Sequence, residues 1–175
     1  MEIKQNKLIN SLRIQPLIIV IRLEDQFFNI SHKRENLFLK IENLSKYGIR
    51  NIEIGWDPNP EWSNLILEIK KKFKLINIGA ASISSLQSLD SICSLDLDYS
   101  MSPIFNKEIH IQAIKYNQLV IPGISNVENF KEAINLGYKI IKIFPASKLG
   151  LNFINELHDL KKKGYIFYWC RWNKK

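Results

Sequence analysis

Within the segment YKIIKIFPAS, residues 138–147, Lys142 stands between Ile141 and Ile143. A lysine on a buried parallel strand costs free energy unless it is paired or neutral. Desolvation lowers the pKa of such an amine and frees it to attack a carbonyl carbon, which is the requirement of Schiff-base chemistry. For Lys142 alone, the ordinary alternative is a side chain that snorkels from the strand end. Glu53, in NIEIGW, is a second ionisable residue inside an apolar run. On a barrel mouth it could move protons between carbinolamine, imine and enamine. Equally, Glu53 could be only a structural partner for Lys142. Three more polar residues mark strand ends: Arg22, Ser82 and Ser102.

Such residues act together only if the fold gathers them. Runs rich in Ile and Val at 16–21, 50–55, 74–79, 97–102, 118–123, 138–144 and 164–169 read as seven buried strands. Helical segments lie between them. Leu37, Ile41 and Leu44 form one stripe that stops at Gly48; Pro60 opens a second helix; Asn126 and Gly137 bracket a third. Repeating βα units build either an open doubly wound sheet or a closed (β/α)8 barrel. In an open sheet the ligand crevice lies at one switch point, so five polar strand ends are hard to unite; in a barrel they share one mouth. No GxGxxG or GxxxxGK[ST] follows any strand, which lowers a nucleotide-binding reading. The expectation is an α/β fold, a (β/α)8 TIM barrel lacking its last βα units, in a single domain over 1–175.

Composition narrows the function further. The 175 residues are 46% apolar and carry a formal charge of +8. Lys161, Lys162, Lys163, Arg171, Lys174 and Lys175 supply six of those charges in an acid-free tail, leaving 8 − 6 = +2 for the rest. A general basic face for nucleic acid is therefore not supported. Cys93 and Cys170 form neither a disulfide framework nor a metal cluster with the three histidines. Arg13, Gln15 and Pro16 interrupt the N-terminal apolar residues, so neither a membrane span nor a signal peptide is expected there. A reducing, cytoplasmic setting is expected.

At these residues the sequence resembles the 2-keto-3-deoxy-6-phosphogluconate (KDPG) aldolase family, which includes 4-hydroxy-2-oxoglutarate aldolase. The similarity runs in order from about Pro16 to Phe167. IKIFPAS is similar to the family's K-[FL]-F-P-A-E block, which implies Lys142 as the Schiff-base nucleophile and Phe144 as the aromatic packed on substrate. IEIGWD is similar to the block carrying the acid/base glutamate, implying that role for Glu53. VIRLED resembles the first-strand segment whose arginine binds the substrate carboxylate, here Arg22, and IGAASI resembles G-A-G-T-V, with Ser82 at the carboxylate-holding hydroxyl. MSPIF and VIPGIS match the fourth- and fifth-strand blocks, adding Pro103 to the substrate-binding set. The resemblance implies a small-molecule keto-acid substrate, no metal or organic cofactor, no nucleic-acid or membrane partner, and the homotrimer common in the family.

There are departures. Asp57 stands where many members have arginine, Ala81 replaces the third residue of G-A-G-T, and Ser147 stands where the family often has glutamate. These bear on substrate affinity and preference, not on the nucleophile. The family's P-T-G-G-I phosphate turn, its eighth strand and a second glycine turn are missing after strand seven, where the chain instead ends GYIFYWCRWNKK. Aromatic and basic residues so interleaved could stack single-stranded nucleic acid. Yet with the codons TTT TAT TGG TGC AGG TGG AAT AAA, loss of one T turns residues 167–174 into Phe-Ile-Gly-Ala-Gly-Gly-Ile-Lys, the missing glycine turn. Residues 168–175 are accordingly expected to be an out-of-frame tail. Two classes follow: a class I aldolase that cleaves KDPG or 4-hydroxy-2-oxoglutarate to pyruvate and an aldehyde, or a non-catalytic remnant or binding protein.

Overall fold

A computed structural model describes residues 1–145 and 151–169 of the chain. Seven helices and eight strand segments alternate in it. The strands are β1 (Ile19–Ile21), β2 (Asn51–Gly55), β3 (Asn77–Ala81), β4 (Tyr99–Met101), β5 (Val120–Ile121), β6 (Gly123–Ile124), β7 (Ile140–Ile143) and β8 (Ile166–Trp169). The helices are α1 (Glu2–Ile14), α2 (Ser31–Lys46), α3 (Glu61–Lys72), α4 (Leu86–Cys93), α5 (Lys107–Lys115), α6 (Val127–Asn135) and α7 (Leu151–Lys162). All strand pairs are parallel, in the orders β1-β2-β3-β4-β5 and β6-β7-β8. The architecture is that of a (β/α)8 barrel that does not close.

The run at 118–123 was expected to be one strand and is two. Pro122 has no N–H to give the ladder, so pairing with β4 ends at Ile121 and a second pairing begins at Gly123. The Pro122 carbonyl still accepts from Lys142 N–H at 3.0 Å, which joins the two sheets. The third strand lies later than expected, at 77–81, because a turn from Phe73 to Ile76 leaves Leu75 in solvent.

The helices follow their sequence signals. Leu37 and Ile41 of α2 are buried, and Gly48 ends the segment at φ +81°. Asn126 caps α6 by accepting from Asn129 N–H at 2.8 Å, and Gly137 terminates it at φ +87°. Ile52, Ile54 and Ile78 are fully buried and pack in one core with Leu37, Ile41, Leu65, Ile66 and Ile69 of α2 and α3. A second core joins Ile124, Ile141 and Ile143 to Phe130 and Ala133 of α6.

Helix α1 was not anticipated from the sequence. Its apolar stripe is short, with Leu8, Ile9 and Leu12 buried, and polar residues fix the rest. Ser11 Oγ donates to Asn51 Oδ1 at 2.9 Å and accepts from Asn77 Nδ2 at 3.2 Å. Gln5 donates to the Gly137 carbonyl and accepts from Lys139 N–H. The helix thus lies across the starts of β2, β3 and β7, and the other ends of the strands are left for the site.

Candidate active site

Strand alternation sends every second side chain to the same face of a sheet. In register, Val20 lies beside Glu53 and Glu53 beside Gly79, so β1 to β3 present one row that includes the carboxylate. Gly79 is in turn beside Tyr99, while Gly123, Lys142 and Tyr168 form the matching row on β6 to β8. The flanking isoleucines of β2 and β7 face the helices. That alternation explains why an apolar run can carry a single ionisable residue at its centre.

Glu53 is wholly buried, and neither carboxylate oxygen has a hydrogen-bond partner among the described residues. Burial pushes its carboxyl up to about 7, against the opposing pull of the Lys142 and Arg22 charges. A carboxyl so poised exchanges a proton readily near neutrality. Lys142 is half-buried, and its Nζ lies 5.3 Å from the centre of the Phe144 ring, a cation–π distance. Arg22 Nη1 donates to Ser82 Oγ at 3.2 Å. Ser82 holds φ +69°, a left-handed conformation that costs a non-glycine residue of order 1 kcal/mol and that clusters at binding sites. Pro103 contributes backbone: a Cβ on Gly123 would come within 2.3 Å of the Pro103 carbonyl oxygen, so glycine permits the close approach of this loop to the strand beside Lys142.

Of the sequence-derived residues, Arg22 and Ser82 meet directly, and Glu53 lies within electrostatic reach of Arg22 and Lys142. Ser102 does not join them. It is buried on the helix-facing side, where Oγ lies 3.2 Å from His110 Nε2 and accepts from Gly123 N–H at 3.3 Å. Alternation put it on the opposite face from its neighbours Met101 and Tyr99. Asp57 Oδ1 accepts from Asn59 N–H at 2.8 Å at the entry to α3, and Ser147 lies outside the described residues.

Two further residues had been given no part in this site from sequence. The hydroxyls of Tyr99 and Tyr168 are buried with no partner among the described residues, and the Glu53 charge is one reason that both phenols are pushed up, after burial itself. Gly79, inside an otherwise apolar strand, was the available signal, since it marks a place where something large must come close. Tyr165, Phe167 and Tyr168 had been considered as a nucleic-acid platform; they are half-buried in and beside β8, and the Phe167 ring centre is 6.1 Å from Phe130. Residues 170–175, the rest of the tail, lie outside the described residues. A groove of about 380 Å³ is bounded by Leu12, Pro16, Leu157, His158 and Tyr165 to Phe167. Its walls come from α1 and the segment leading to β1 on one side and from α7 and β8 on the other, and Glu53 does not line it. No described helix is long and apolar enough to cross a membrane.

Comparison with known proteins bears on this arrangement. The chain is 26% identical over 114 residues to 2-dehydro-3-deoxy-6-phosphogalactonate aldolase of Escherichia coli, covering 61% of this chain and 55% of that one. It is 29% identical over 148 residues to o-succinylbenzoate synthase of Bacillus subtilis, covering 78% of this chain and 39% of that one. The chain therefore spans about half or less of the length of these relatives. Among solved structures, KDPG aldolase of Legionella pneumophila, with pyruvate captured as a covalent carbinolamine, superposes with a TM-score of 0.70 at 22% identity, over 89% of this chain and 70% of that one. At that identity the likeness speaks for the fold. The sequence model of the KDPG and KHG aldolases matches residues 8–161, nearly the whole described barrel, and the chain belongs to that family.

Proposed function

We propose that the chain is a class I aldolase that cleaves a 2-keto-4-hydroxy acid, KDPG or 4-hydroxy-2-oxoglutarate, to pyruvate and an aldehyde. The observation that carries this reading is Glu53: a wholly buried, unpartnered carboxyl within reach of the Lys142 charge. A structural ion pair would satisfy its oxygens, and Glu53 leaves them open. Lys142 Nζ attacks C2, and loss of the ketone oxygen as water gives the iminium. Ionised Glu53 takes the C4 hydroxyl proton, the C4 oxygen forms the carbonyl of the leaving aldehyde, and the electrons of the broken C3–C4 bond move into an enamine. Glu53 returns a proton to C3, and water releases pyruvate from Lys142. Arg22 and Ser82 hold the carboxylate, while Phe144 and Pro103 line the substrate. No metal or organic cofactor enters these steps; a homotrimer in the cytoplasm is the setting that fits the family.

The test is borohydride reduction of the chain in the presence of pyruvate, followed by peptide mapping. An adduct on Lys142 supports the reading; an adduct on Lys139, or none, overturns it. We also propose that residues 168–175 are read out of frame, which rests on the shifted glycine codons and is tested by resequencing codons 165–172.

A further inference from the structure

Tyr99 is 1% exposed, and its ring occupies the space of a side chain that β3 lacks. A Cβ on Gly79 would lie 2.6 Å from Tyr99 Cε2 and 2.7 Å from Cζ, the carbon that bears the hydroxyl. The ring therefore crosses β3 towards β2, where the residue in register with Gly79 is Glu53. At the end of that path the Tyr99 hydroxyl and both Glu53 oxygens are buried without a partner among the described residues, as is the Tyr168 hydroxyl on the strand beside Lys142. Unpaired buried polar groups are costly, and three of them within electrostatic reach of one another point to a ligand group that satisfies them together.

From this geometry, and resting on the aldolase reading above, we infer that the Tyr99 hydroxyl is a hydrogen-bond donor to the keto oxygen that leaves C2 of the substrate. The charged and titratable groups around it are Glu53, Tyr168 and Asp98, with Lys142 and Arg22 acting on Glu53. Burial keeps the phenol protonated well beyond neutral pH, so it donates and does not serve as the base. The step it assists is the second half of imine formation. Lys142 nitrogen has already bonded to C2, and the former ketone oxygen is a hydroxyl. The C2–O bond then breaks as this oxygen takes the Glu53 carboxyl proton and departs as water. The nitrogen lone pair closes the C=N bond, leaving a protonated imine and an ionised Glu53. A donor fixed against the departing oxygen lowers this barrier, as such donors do wherever charge develops on oxygen.

The experiment uses Tyr99→Phe, which removes one unpartnered buried hydroxyl and so leaves the fold intact. Wild type and variant are mixed with pyruvate, and the adduct is read by intact-protein mass with and without cyanoborohydride, which reduces imine but not carbinolamine. The expected result is an about 10²-fold slower appearance of reduced adduct, with an unreduced adduct that still retains the elements of water accumulating on the variant. Gly79→Ala, which keeps the phenol but displaces its ring, should act in the same direction. Equal rates of reduced adduct, with no water-retaining species on Tyr99→Phe, overturn the role of Tyr99 while leaving Lys142 as the nucleophile. Absence of any adduct on wild type overturns the aldolase reading, and this role with it.

Discussion

Glu53 and His110 are both completely buried, and the structure treats them in opposite ways. Glu53 lies on a strand, in the row that includes Gly79, and neither carboxylate oxygen has a partner among the described residues. His110 lies on α5 among helices and is bonded on both ring nitrogens: Nε2 is 3.2 Å from Ser102 Oγ, and Nδ1 is 3.0 Å from the Tyr138 hydroxyl. One neutral tautomer satisfies the whole set. Nε2–H donates to Ser102, Ser102 donates to the Ile121 carbonyl, and Tyr138 donates to Nδ1. Phe105 stacks on the ring at 5.0 Å. Burial pulls the imidazole down to about 4, so it stays neutral, and it pushes the Glu53 carboxyl up to about 7, so that it shares its proton. A satisfied buried group secures packing; an unsatisfied one costs stability and is retained where a substrate completes it.

Substitutions should separate the two regions, and the largest effect is expected at Lys142. Lys142→Met should abolish the borohydride-trapped pyruvate adduct entirely, whereas His110→Gln should retain it; an adduct on Lys142→Met would remove the mouth from the chemistry. Glu53→Gln should lower turnover by about 10²–10⁴-fold while trapping stays detectable, measured by steady-state cleavage of 4-hydroxy-2-oxoglutarate. An unchanged turnover number would make Glu53 as structural as His110.

Stability should move the other way. His110→Ala leaves the Tyr138 hydroxyl without its ring partner and opens a cavity, so it should cost about 2–4 kcal/mol in urea melts. Glu53→Gln at pH 8 should raise the midpoint, because the folded state no longer holds a buried carboxylate. A rise for His110→Ala, or a fall for Glu53→Gln, would reverse the contrast.

The contrast also appears as a pH slope. The Glu53 carboxyl is raised from 4.5 to about 7 in the fold, so its contribution is full below pH 4.5 and is lost as pH rises towards 7, by about 3 kcal/mol in all. The His110 imidazole is lowered from 6.5 to about 4, so its contribution is full above pH 6.5 and is lost as pH falls towards 4, by a similar amount. Between about pH 4.5 and 6.5 the two slopes oppose each other. Glu53→Gln should therefore uncover stability that rises with pH in that window, and His110→Gln stability that falls. Denaturation midpoints at half-unit pH steps check both signs.

Particular residues show what could be read without coordinates. The apolar runs around Glu53 and Lys142 determined two strands with one ionisable residue each, because alternation allows one such residue to face inward while its neighbours pack on helices. Asn126 and Gly137 likewise determined the bounds of α6 through local backbone chemistry. The polar anchoring of α1, through Asn51, Asn77, Gly137 and Lys139, depends on partners far along the chain. Only the tertiary structure decided that the Tyr99 ring fills the space above Gly79, one strand away from Glu53. Strand identity is a property of near neighbours, whereas contact across three strands follows from register, which no short stretch of sequence contains.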